Sequence, residues 1–469
     1  MFLTFNLMEF LDQLLKDFSS LAWGLPLLIL LIGGGLYLII ISRFLPFRFI
    51  GHAIQVLRGK YDDPNDPGQI SHFQALSTAL SATVGMGNIA GVAVAISIGG
   101  PGAVFWMWVS AVIGMSTKFF TSTLAVMYRG KDSHGELQGG PMYFIMEGLG
   151  KSWKPLAIFF SIAGLIGALP VFNVNQLKQA INFVLLEPQG VEVSTWTNLI
   201  IGLVLVGITA IVILGGLKRI SKTASRLVPS MVVLYFILVA IVLFTNASEV
   251  PKYLGMIFTD AFVANNFGGD AFLGGVVGGL ILLGIRRGAF SNEAGIGTAP
   301  MAHGAAKTDE PIREGLVAML GPAIDTLIVC TLTALAILVT GVWETTSDNG
   351  VSLTASAFNV GMPGIGSYLL LICIVVFSVS SLFSYAYYGT KCMSFLFGAD
   401  HKHYYNYIYI LSILMGAVTS LDMMINLIDG VFALMAIPTM TATILLAPKV
   451  VKEMKRYRAT LKSSTHDQA

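Results

Sequence analysis

Hydrophobic residues in this chain gather into eleven long runs, separated by short stretches where charge, proline or glycine collects. The runs cover approximately 23–43, 70–99, 103–128, 155–185, 196–216, 225–246, 270–298, 314–341, 365–390, 405–421 and 426–447. A bilayer core about 30 Å thick takes about 20 residues of α-helix, so each run predicts one transmembrane helix. Ahead of them, Phe10, Leu11, Leu14, Leu15 and Phe18 recur at helical spacing. Glu9, Asp12, Lys16 and Asp17 rule out a secretory signal there. Residues 1–22 therefore read as an amphipathic helix on the outer interface, the plainer alternative being a frayed terminus.

Composition sharpens the class. Of 469 residues 55% are apolar and 12% charged, and 50 are glycine. That charge share is about half of a soluble domain's, and glycine lets helices in lipid approach closely. An all-α polytopic membrane protein follows, with one membrane domain over 23–447 and a basic tail over 448–469. Cys330, Cys373 and Cys392 lie in or at the ends of apolar runs, where a thiol is a small hydrophobe. A net charge of +2 with dispersed basic residues gives no footprint for nucleic acid.

Charge placement sets orientation. Alternate loops hold 24 of the 28 basic residues, counting Arg286 and Arg287 with one such loop, while the opposite loops keep Lys16 and Lys252. Lys118 and Lys178 lie inside runs. The positive-inside rule then puts the N-terminus outside and the C-terminus in the cytoplasm of a bacterial inner-membrane protein.

Two runs are poor continuous helices. The second contains Ser77-Thr78-Ala79-Leu80-Ser81-Ala82-Thr83-Val84-Gly85-Met86-Gly87-Asn88, with Gly91, Gly99 and Gly100 beyond. Each mid-helix glycine costs about 1 kcal/mol against alanine, and the flanking Ser, Thr and Asn offer competing hydrogen bonds. An unwound segment at mid-membrane presents N–H groups to a carboxylate and C=O groups to a cation. The alternative is that the small residues only permit close helix packing. The seventh run repeats the anomaly with Gly274, Gly275, Gly278, Gly279, Gly284 and Gly288 leading into AFSNEAGIGTAPMAHGAA. There Gly295-Ile296-Gly297-Thr298 echoes Gly85-Met86-Gly87-Asn88 at a displacement of 210 residues. Setting the first run aside, the two interrupted helices open two groups of five, about 70–246 and 270–447. This is the pattern of a five-plus-five inverted repeat with a discontinuous first helix in each half.

Polar residues inside the runs are the candidates for chemistry. Asp325 lies about 16 Å into its run at about 1.5 Å per residue. It reads as a cation ligand or, preferentially, as a structural partner of Lys118, Arg286 or Arg287; Glu293 is another candidate partner for Lys118. After Pro170, Phe172, Asn173, Asn175 and Gln176 bring amides to mid-membrane, suited to a zwitterionic solute or to gluing helices together. Ser378, Ser380, Ser381 and Ser384 stand beside Tyr385, Tyr387 and Tyr388. Adjacent hydroxyls fit a hard cation such as Na⁺, although serine in a helix also bonds its own preceding turn.

The chain resembles the alanine or glycine:cation symporter family in ALSATVGMGNIAGVA at 79–93, GGPMYFIMEGLG at 139–150 and RRGAFSNEAGIGTAPMAHGAAKTDEP at 286–311. It does so again in IDTLIVCTLTALAILVTG at 324–341 and YAYYGTKC at 385–392. The resemblance implies the leucine-transporter-like fold of ten core helices, preceded by one extra helix, and Na⁺-driven uptake of small neutral amino acids, chiefly alanine and glycine. It further implies that the N–H groups of Met86 and Gly87, beside Gly85, take the solute carboxylate and that the Thr83 carbonyl takes its ammonium group. The carbonyls of Ser81 and Val84 with the hydroxyls of Ser380 and Ser381 would hold Na⁺, with Asn88 a second-site ligand. Phe172, Asn175, Gln176, Phe290, Asn292 and Tyr385 complete the implied solute pocket. Many relatives carry Thr-Thr at Ser380-Ser381 and Trp at Tyr385, departures that bear on pocket size.

Competing functions differ in the groups they need. Proton coupling requires a titrating group where the ion sits, and serine hydroxyls do not titrate. An intramembrane enzyme requires a nucleophile with a base or a metal cluster, and the seven histidines fall in or near loops without HExxH or GxSxG. A transporter-like sensor normally carries an appended signalling domain. A symporter needs no cofactor beyond its coupling ion.

Overall fold

A bilayer offers peptide groups no water, and the α-helix, which pairs each N–H within its own segment, satisfies them. The computed structural model describes residues 2–262 and 276–466, and helices account for most of it. The stretch 270–275 of the seventh run, with Gly274 and Gly275, lies outside the described residues.

The main helices are α1 (Phe2–Ala22), α2 (Leu25–Ile41), α3 (His72–Thr83), α4 (Gly87–Gly99) and α5 (Gly102–Met127). There follow α6 (Lys151–Gln189), α7 (Thr195–Ile213), α8 (Gly216–Thr245), α9 (Val250–Asp260), α10 (Val276–Asn292) and α11 (Ala299–His303). The last are α12 (Pro311–Val339), α13 (Val351–Gly361), α14 (Gly366–Phe397), α15 (Lys402–Val418) and α16 (Leu421–His466). Among the described residues seven helices are long and apolar enough to cross a membrane, or nine if each bent pair is one span. The bent pairs are α1 with α2, at 47°, and α3 with α4, at 51°. Helices α10 and α15 have 17 residues each. A two-stranded hairpin pairs β1 (Gly130–Lys131) with β2 (Leu137–Gln138), antiparallel, with Gly130 opposite Gln138.

Each interruption has a local cause. Between α1 and α2, Gly24 is extended and Pro26 sits in the first turn of α2, where its missing N–H costs nothing. Between α3 and α4, Val84 leaves helical geometry with ψ of 88°. Helix α6 breaks at 168–170, where Pro170 begins its second half. Between α10 and α11, Glu293, Gly295 and Gly297 take positive φ values of 54°, 86° and 106°. A side chain at Gly297 would also lie 2.5 Å from Thr439 Oγ1 and 2.6 Å from the Phe160 ring, so both conformation and space demand glycine there.

Packing places the broken helices at the centre. Helix α3 lies against α8 and α14, α10 runs along α5, and α16 carries α1 on one side and α6 on the other. Outward faces of α7 and α8 expose Trp196, Ile200, Leu203, Ile211, Val233, Phe236 and Phe244, an apolar belt suited to acyl chains. Arg286 and Arg287, grouped above with a basic loop, lie instead within α10 and are turned onto α16. At the end of the bundle where the remaining basic loops gather, Arg129 donates to the carbonyls of Gly304 (2.8 Å), Thr308 (3.0 Å) and Pro67 (3.2 Å). His72 of α3 and His303 of α11 share the buried carboxylate of Glu314.

Gly304 lies backbone to backbone with Gly139, and a methyl at Gly304 would stand 2.6 Å from the Gly139 Cα. No rotamer relieves a clash with main chain. Gly304→Ala is expected to destabilise the protein by about 1–3 kcal/mol, read as a lower thermal-unfolding midpoint in detergent.

Candidate solute and ion site

The break between α3 and α4 leaves the last carbonyls of one half-helix and the first N–H groups of the next without helical partners. Asn88 braces it: its Oδ1 accepts from Gly85 N–H at 2.9 Å. Beside the break is a small cavity lined by Ala82, Thr83, Gly87, Gly167, Leu169, Phe172, Asn173, Phe290, Tyr385, Ile428 and Phe432. Its volume is about 20 Å³, room for about one water molecule. Of the sequence candidates, Thr83, Gly87, Phe172, Phe290 and Tyr385 meet on its wall. Gly85 and Met86 are the turn beside it, and both are buried.

Aromatic rings close one side. Phe290 meets Phe172 edge-on at 5.0 Å between centroids and Phe432 at 5.8 Å. Above Phe290 the guanidinium of Arg287 stands 5.1 Å from the ring centroid. Asp429 Oδ2 takes both Arg286, at 2.6 Å, and Arg287. The two arginines thus pair with Asp429 and not with Asp325. On another wall the Tyr385 hydroxyl donates to Glu293, which also accepts from Thr298.

The hydroxyl candidates converge where α3 meets α14. Ser81 Oγ donates to the Ser380 carbonyl at 2.7 Å. Ser380 Oγ and Ser381 Oγ each donate to the Phe377 carbonyl, at 2.9 and 3.0 Å, which leaves their oxygen lone pairs as acceptors. A methyl at Gly85 would come within 2.5 Å of Ser381 Oγ, so glycine lets the break approach α14 this closely without displacing that hydroxyl. Val84 is fully buried at the same junction.

A second polar knot ties the break to α10 and α12. Asp325, fully buried in a π-helical turn of α12, accepts from Asn88 Nδ2 at 2.8 Å, Ser291 Oγ at 2.7 Å and Thr326 Oγ1 at 2.7 Å. Lys118, 2% exposed, interacts electrostatically with Glu293 and Asp325. Among the described residues it makes no ion-pair contact within 4 Å.

Three sequence candidates face elsewhere. Asn175 donates to the carbonyls of Thr419 (2.6 Å) and Gly416 (3.3 Å). Gln176 holds Gln179 at 2.9 Å and accepts from Val351 N–H at 3.1 Å, so these two amides brace helix ends. Asn292 bonds Thr326 Oγ1 at 3.1 Å and caps Ala294 N–H at 3.0 Å. Asn173 lines the cavity in place of Asn175 and Gln176, since a step of two or three residues turns a side chain to another helix face, and Ser291, next to Asn292, bonds Asp325. Asp429 was not singled out from the sequence; a carboxylate four residues inside the last run was the available signal.

The family model described as the sodium:alanine symporter family matches residues 8–469. The sodium/alanine symporter AgcS of Methanococcus maripaludis is 40% identical over 461 residues, covering 97% of this chain and 99% of that one. A probable sodium/glutamine symporter of Bacillus subtilis, GlnT, is 35% identical over 96% of this chain and 91% of its own. The crystal structure of MhsT in complex with L-phenylalanine superposes with a TM-score of 0.59 at 16% identity, over 81% of this chain and 89% of that one, a likeness of fold.

Removing a buried carboxylate that serves two guanidiniums strands both. Asp429→Ala is expected to cost about 3–5 kcal/mol, more than Arg286→Ala, because Arg286 is 20% exposed and Asp429 is fully buried. Thermal-unfolding midpoints of the two variants check the order.

Proposed function

Because this chain belongs to the sodium:alanine symporter family, we propose that it carries a small neutral amino acid, alanine or glycine, into the cell together with Na⁺. Membership makes it a membrane transporter and not an enzyme. The proposed architecture is eleven spans, counting each bent pair once and adding α10 and α15, as one extra helix and two inverted halves of five. The N-terminus lies outside and the basic C-terminal tail inside. Even without Arg286 and Arg287, 22 basic residues remain on the inner loops and on the helix turns next to them in that arrangement, which supports it.

The observation that carries the reading is the break at Val84-Gly85-Met86, buried between an aromatic-lidded cavity and the paired hydroxyls of Ser380 and Ser381. On this reading the N–H groups of Met86 and Gly87, at the positive end of α4, take the carboxylate, and the Thr83 carbonyl, at the negative end of α3, takes the ammonium group. Phe172, Phe290 and Tyr385 bound a side chain that must be small. Carbonyls of Ser81 and Val84 with the hydroxyls of Ser380 and Ser381 bind Na⁺, a hard cation matched to neutral oxygens. Na⁺ joins α3 to α14 and so favours the arrangement in which they touch. Differential affinity of this kind couples the ion gradient to the solute. Asn88 serves this site indirectly, by fixing the turn.

A second reading, proton coupling, draws on Asp325 and Glu293, two fully buried carboxylates held by neutral donors.

Uptake of labelled alanine and glycine into proteoliposomes tests the choice, with an inward Na⁺ gradient set against an inward proton gradient. Uptake that requires Na⁺ is expected; uptake driven by protons alone selects the second reading. Within that assay Gly87→Val abolishes uptake. Ser381→Ala raises the Na⁺ concentration for half-maximal transport by about tenfold, the equivalent of about 1.4 kcal/mol, while solute affinity at saturating Na⁺ stays near the parent value. An unchanged Na⁺ dependence moves the ion away from Ser381.

A further inference from the structure

One face of α1 exposes Phe10 and Leu14. The other reaches the lid over the cavity. Phe18 packs on Gly430, where any side chain would collide with its ring. Ser19 Oγ meets the Arg286 guanidinium. Trp23, 1% exposed at the elbow between α1 and α2, donates from Nε1 to the Asp429 carbonyl at 2.8 Å, and its ring lies 5.8 Å from the Arg286 guanidinium. These contacts converge on Asp429, Gly430 and Arg286. Ile428 and Phe432, on either side of Asp429 in the sequence, line the cavity.

We propose that the N-terminal helix is a positioning element for the lid. Ser19 and Trp23 hold Arg286 and Asp429 in register, Asp429 holds Arg287 over Phe290, and α1 thereby sets how readily the cavity opens on that side. The need for such a brace is visible in the pairing itself. Both arginines converge on Oδ2 of Asp429, while its Oδ1 is buried with no hydrogen-bond partner among the described residues. Two guanidiniums sharing one oxygen forgo the two-point geometry that fixes an arginine on a carboxylate. Arg286, the more exposed of the pair, keeps rotamer freedom unless something outside the pair removes it. Ser19 and the Trp23 ring do so from one side, and the Trp23 N–H anchors α16 at the residue that carries the carboxylate.

The test uses the full chain with Ala82→Cys, a position on the cavity wall, against the same chain without that substitution as background for the three native cysteines. A membrane-impermeant thiol reagent is applied from the side on which α1 lies. Ser19→Ala and Trp23→Phe are each expected to raise the labelling rate about 2- to 10-fold, the worth of one hydrogen bond. With Arg286→Gln already present, Ser19→Ala is expected to add nothing, since the two act through one contact. Unchanged labelling in both single variants overturns the proposal, as does an equal increment from Ser19→Ala with and without Arg286. So does a rise that vanishes when variants are compared at equal distance below their thermal midpoints, because a packing role alone produces that. Labelling needs no transported solute, so this result and the outcome for symport stand apart.

Discussion

The structure turns on a requirement of backbone chemistry in lipid: peptide groups go unpaired only where protein surrounds them. The break at Val84-Gly85-Met86 meets that requirement by being buried among α10, α12 and α14. Asn88 shows how tightly it is met. One side of its amide holds Gly85 N–H and the other holds Asp325, so a single residue supports the unwound turn and joins it to α12. Packing helices surround this point, and the polar residues that matter lie within reach of it.

The apolar runs made the helical, membrane-spanning character of the chain readable, because lipid forces a length of about 20 residues on a span and glycine clusters weaken a helix visibly. Ser77 to Asn88 announced a break, and the structure locates it at Val84. Side-chain direction was harder. Asn175 and Asn173 are equally polar in the sequence, yet only Asn173 reaches the cavity wall, because two residues along a helix lie on different faces and composition does not encode which face turns inward. Arg286 and Arg287 looked like loop charges because arginine is rare inside a membrane helix. Their partner, Asp429, is 142 residues away from Arg287 in the sequence, and nothing local links them.

One feature of this molecule follows from its being a member of a family and not only of a fold. The likeness to MhsT concerns the arrangement of helices. Full-length relatedness to named symporters speaks to the chain as a whole, including α1 and α2, since the family match begins at residue 8. The N-terminal helix is therefore within the shared unit, and its contacts with Arg286 and Asp429 belong to the same protein that forms the cavity.

The two half-helices also act as a ruler. α3 ends and α4 begins within three residues, so a negative and a positive pole face one cavity across a single turn of chain. On the proposed reading, an α-amino acid, whose ammonium and carboxylate groups hang on one carbon, is the solute that would bridge two poles so close together in the chain. Selection for the α position would then reside in the main chain, and side-chain replacement around the cavity would retune solute size without touching it.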